Sequence, residues 1–122
     1  MRKQYHLKRI DGILHAWDVH RLIELTKELP VEDVAIKDIE ELDEPYWFDN
    51  LPTCRDISVH VKLCNEADLS YPIILSSAGR VMDGMHRVVK ALLEGRTSIK
   101  AVRIVGDLEP DYINVEADKL PY

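Results

Sequence analysis

The sequence predicts an α+β fold: a small mixed β-sheet with flanking helices. Three observations carry that expectation. Residues 19–29 place apolar side chains at helical spacing, and Ile99 to Val105 alternates with a period of two. Between them, from Tyr71, come a short apolar run, a turn, a second short run and an amphipathic segment ending at Gly95. The chain of 122 residues is read as one domain, 1–122. A domain of that size buries roughly two thirds of its unfolded surface, enough for a core without disulfides or a structural metal.

In chain order, Gln4 to Ile10 reads as a short edge strand turned by Asp11-Gly12. A helix follows over Val19–Leu29. Val19, Leu22, Ile23, Leu25 and Leu29 share its apolar side, Asp18 stands at the N-cap and Pro30 stops it. Asp33 to Leu42 reads as a strand running into an acidic turn before Pro45-Tyr46-Trp47-Phe48. Thr53 to Asp68 alternates like a strand, but its length and the Thr53-x-x-Asp56 pair favour a capped helix with Ile57, Val61 and Cys64 on one face. Pro72-Ile73-Ile74-Leu75, the turn Ser76–Gly79 and Arg80-Val81-Met82 form a hairpin. The next helix begins after Asp83-Gly84 and ends at Gly95. Its apolar side holds Met85, Val88, Val89, Ala91, Leu92 and Leu93, with His86, Arg87, Lys90 and Glu94 opposite. Residues 106–122 form an acidic tail.

Sixteen basic against twenty-two acidic residues give a net charge of −6, which argues against a basic face for non-specific DNA binding. No apolar run is long enough to span a membrane, the N-terminus lacks the apolar stretch of a signal peptide, and two cysteines are too few for a disulfide scaffold. A cytoplasmic location is the expectation. Nine acidic residues and one basic lie between Glu28 and Asn50, whereas six basic and two acidic lie between Tyr71 and Arg103. Either the two segments attract each other inside one fold, or the basic one faces a small anion.

The residues with most chemical promise are Asp83-Gly84-Met85-His86-Arg87, between a strand and a helix. A helix start exposes unpaired N–H groups and positive potential, a ready site for phosphate or carboxylate. Gly84 allows close approach, Arg87 can hold two oxygens and His86 can donate a further bond. The bland alternative makes Asp83 an N-cap, Gly84 a bend, and His86 and Arg87 solvated polar positions.

The run Tyr71-Pro72-Ile73-Ile74-Leu75, Gly79-Arg80-Val81-Met82-Asp83-Gly84-Met85-His86-Arg87 and Ala91–Gly95 resembles the ParB N-terminal/sulfiredoxin-like superfamily. The resemblance spans about residues 34–105 and is specific over 71–95. It implies a nucleotide-phosphate site at the helix start, with Gly84, Met85, His86 and Arg87 binding ATP, ADP or CTP. Met85 stands where sulfiredoxins carry their catalytic cysteine, and a thioether cannot attack a sulfinyl phosphate. A separate helix-turn-helix with a dimerising tail does not fit in 122 residues, so partition-type DNA binding is not expected. The turn is most similar to that of the free-serine-kinase type, whose first His is missing here. That branch implies phosphoryl transfer to a small metabolite, with Asp83 holding Mg2+ and Glu44 as an acidic catalytic residue. The alternatives are a nucleotide-dependent binding module without turnover, and a DNA-directed nuclease or accessory protein.

Weaker candidates complete the set. His60 and Cys64, four residues apart, could ligate a metal or form a half-buried helix face. Asp38, Glu40, Glu41, Asp43 and Glu44 could supply a base or a magnesium ligand, or make a solvated loop. Tyr46-Trp47-Phe48 is either a core plug or a stacking platform. Cys54 is a lone thiol, and His15 and His20 read as surface residues.

Overall fold

The computed structural model describes residues 3–122 and has the expected α+β architecture. One sheet contains β1 (Tyr5–Ile10), β2 (Ile13–Asp18) and β7 (Tyr112–Ile113), in that order. The other has the order β3-β6-β4-β5, from β3 (Glu32–Ala35), β6 (Ser98–Arg103), β4 (Ile73–Leu75) and β5 (Val81–Asp83). β4 and β6 pair in parallel, and the remaining pairs are antiparallel. The helices are α1 (Val19–Thr26), α2 (Cys54–Glu66) and α3 (Met85–Leu93). Among the described residues no helix is long and apolar enough to cross a membrane.

The four-stranded sheet is buried on both faces, which is why its central strand reads as an unbroken apolar run. Ile73, Leu75, Val81, Ile99 and Ala101 face α3, meeting Met85, Val88 and Ala91. Ile74, Met82 and Val102 point the other way, onto Trp17, Val19 and Leu22. Alternation along each short strand therefore feeds two cores.

Strand β2 was absent from the sequence reading. Asp11 and Gly12 both adopt positive φ, 52° and 78°, and form a two-residue hairpin turn that pairs Ile10 with Ile13. The tail is likewise more than a tail. Asp111 N–H bonds Ala16 O and Asn114 N–H bonds Leu14 O, both at 2.8 Å, laying β7 on β2, and Leu120 is buried.

The expected strand over 33–42 stops at Ala35. Ile36–Asp38 and Glu40–Asp43 are 3-10 turns. Ile36 and Ile39 are buried and Leu42 packs beside them, a spacing of three that a 3-10 turn places on one side.

Helix α1 begins as expected, Asp18 accepting from His20 N–H at 2.9 Å, and ends at Thr26. Helix α2 carries the full capping box: Thr53 accepts from Asp56 N–H, and Asp56 accepts from Thr53 N–H. Of its expected apolar face only Cys64 is buried. Ile57 and Val61 are 47% and 52% exposed, because the helix meets α3 along one flank rather than over the sheet. On α3, Leu92 and Leu93 are exposed as well. Lys90 donates from α3 to Asn65 O and Ala67 O, closing the C-terminal end of α2. Gly95 takes φ +75°, and Gly95 N–H to Leu92 O and Arg96 N–H to Ala91 O end α3 as read from the sequence.

Candidate functional site

Helix α3 starts from Gly84, whose φ of +108° lies in the left-handed region, and no side chain caps it. Asp83 is therefore the last residue of β5 and not the N-cap. The glycine is demanded by packing too: a Cβ there would lie 2.6 Å from Ile73 Cγ2 and 3.2 Å from Arg87 Cζ. Met85 is buried in the core, so only its backbone could meet a ligand, as its place on the apolar face implies.

Arg87 is committed elsewhere. Its Nη2 donates to Asp83 Oδ2 at 2.8 Å, and its Nη1 donates to Pro72 O at 2.7 Å and Tyr71 O at 3.1 Å. Both charged side chains are 17% exposed. The guanidinium ties the start of α3 to the strand before it, so the two nitrogens that a two-oxygen phosphate clamp would use already have partners within the fold.

His86 faces the opening. A cleft of about 970 Å3 runs past Gly84, Met85 and His86, between the β1–β2 hairpin and the Ser76–Arg80 turn. The hairpin contributes His6 and Trp17, and the loop after the 3-10 turns contributes Glu44, Tyr46 and Trp47. Burial, reinforced by Glu41 and Asp83, pushes the Tyr46 phenol up to about 12 against the opposing effect of Arg80. Burial and then Lys8 pull His6 down to about 4.

The acidic loop packs against this cleft, held by Arg80. Its guanidinium meets Glu40 at 2.6 Å, Glu41 at 3.3 Å and Glu44 at 2.5 Å. Glu41 is 3% exposed, Oε2 accepts from Val81 N–H at 2.6 Å, and Oε1 has no hydrogen-bond partner. Arg103 pairs with Glu32. Much of the charge asymmetry is thus internal attraction, the blander of its two readings. Glu44 shares the cleft with His86 and Asp83, but as an ion-paired carboxylate.

Sequence reasoning missed the partner of His86. His60 Nδ1 lies 2.8 Å from His86 Nε2, with the rings 18° from coplanar. Trp47 stacks on both imidazoles, at centroid distances of 4.4 and 4.6 Å, and Phe48 meets His60 edge-on at 5.1 Å. The aromatic run is therefore a roof over a histidine pair. Both histidines are pulled down, chiefly by burial. The only advance sign was that two polar rings and an aromatic cluster each stood beside apolar faces.

The residues do not fit a resident metal. Asp83 already neutralises a guanidinium, His60 turns toward His86, and the described residues include no group of three His, Cys, Asp or Glu able to ligate an ion. Cys54 is exposed and Cys64 buried. No protein-family profile, curated protein or solved structure matches this chain, so the ParB/sulfiredoxin-like resemblance rests on the motif in residues 71–95.

Proposed function

We propose that the cleft binds a phosphorylated small molecule, with nucleotides such as ATP, ADP or CTP as the leading class and the phosphate at the start of α3. The supporting observation is the coincidence of an uncapped nine-residue helix start with the wall of a nucleotide-sized cleft. His86 contributes a ring N–H, and Ser76, Ser77 and Arg80 border the same space. Arg87 and Asp83 act indirectly, by fixing the turn. Phosphoryl transfer is the second reading, favoured because Glu44 lines the same cleft. A binding module without turnover needs only the first part.

A thermal-shift screen of nucleotides and inorganic phosphate, with and without magnesium, tests the reading. A ligand at a hundred times its Kd adds about 2.7 kcal/mol to stability, several degrees for a chain of this length. No shift with any of them would remove the phosphate reading. A nucleotide hit whose terminal phosphoryl group passes to water or an added acceptor with wild type, but not with a Glu44→Gln variant that still binds it, would establish transfer.

A further inference from the structure

Resting on that reading, we propose that the His60–His86 pair is the proton acceptor of the anion site: a phosphate-class dianion binds at the start of α3 together with a proton taken up by the pair. Two imidazoles 2.8 Å apart and nearly coplanar meet edge to edge, sharing one proton in an N–H···N bond. Each ring keeps one outer nitrogen, His60 Nε2 and His86 Nδ1. One added proton leaves the shared bond intact. Two would set N–H against N–H and break it.

The surroundings hold the pair neutral in the empty site and ready to charge. Burial disfavours an imidazolium on either ring. The charges that face the pair are Asp56 one turn before His60, Asp83 at the end of β5 and Arg87 on α3. The loop above lays the Trp47 and Phe48 rings on the pair and brings Glu44, ion-paired with Arg80, and Tyr46 to the cleft that His86 borders. His86 also occupies the first turn of α3, where the helix dipole repels a cation. An anion at that end reverses the local potential beside His86, and the Trp47 face then lies against a charged ring. Linkage makes the relation reciprocal: the anion raises the proton affinity of the pair, and protonation tightens the anion.

The test uses sodium sulfate, a dianion with no proton of its own to exchange near neutrality. Histidine side-chain NMR titrations from about pH 8 to 5 are run on the full chain with and without sulfate. Saturating sulfate should raise the apparent pKa of the pair by about one unit, and sulfate should bind roughly tenfold tighter at the acid end. His60→Asn, whose side chain borders the smaller apolar pocket rather than the cleft, should keep sulfate-induced shifts at the Met85–Arg87 amides but lose most of that pH dependence. Sulfate binding at those amides with no change in the histidine titrations would overturn the proton coupling and leave the anion site standing. No amide shifts at all would overturn both.

Discussion

Gly84 does in one residue what no side chain could. Its φ of +108° and the 2.6 Å approach of a would-be Cβ to Ile73 make Gly84→Ala costly twice over, by about 2–4 kcal/mol in urea unfolding. A ligand-only role would leave the stability of the unliganded protein nearly unchanged. Asp83→Asn separates its two possible duties equally well. A capping aspartate would lose a few tenths of a kcal/mol, whereas loss of the half-buried Arg87 pair should cost about 1–2 kcal/mol. His6 offers a prediction in pH. Its folded value near 4 lies below the ordinary 6.5, so the folded state binds fewer protons there. Its contribution is complete above pH 6.5 and is lost as the pH falls toward 4, by an amount on the order of 2 kcal/mol. Stability of His6→Gln followed across that window should fall less steeply with acid than wild type, and parallel curves would refute the assignment.

At the level of elements, local chemistry was readable and long-range chemistry was not. The Thr53–Asp56 capping box could be seen in four residues, and Thr53→Ala should lower stability by about 1 kcal/mol. Adding Asp56→Ala should cost less than a second full increment, because the two bonds are reciprocal. The other end of α2 depends on Lys90, more than twenty residues later, and no spacing rule announces such a partner. The same distance hid the His60–His86 pair, since His60 was weighed against Cys64, its neighbour one turn away. Ile36, Ile39 and Leu42 did carry a visible sign, a period of three, that was overridden by the β-branched look of Val34 and Ile36. Burial was misjudged on α2, where amphipathic spacing located a face without telling how much of it a neighbour would cover.

Across the molecule, charge is arranged to satisfy itself. Arg80 is surrounded by three glutamates, and Arg103 and Arg87 each have a carboxylate, so these three cations of the basic segment are neutralised within the fold rather than offered to an extended polyanion. Affinity for duplex DNA at physiological salt should be weak and only shallowly dependent on salt. A tight, sequence-dependent band shift would favour the DNA-directed alternative. The parallel join between β4 and β6 bears on how the chain assembles. Those strands and α3 lie within residues 73–103, whereas β3 reaches β6 across more than sixty residues of sequence. Closing the shorter loop first costs less chain entropy, so refolding should nucleate on β4, α3 and β6 and add β3 as an edge later. In pulsed hydrogen exchange the amides of Ile74 and Val102 should gain protection before that of Val34, making the edge strand the last part of that sheet to close.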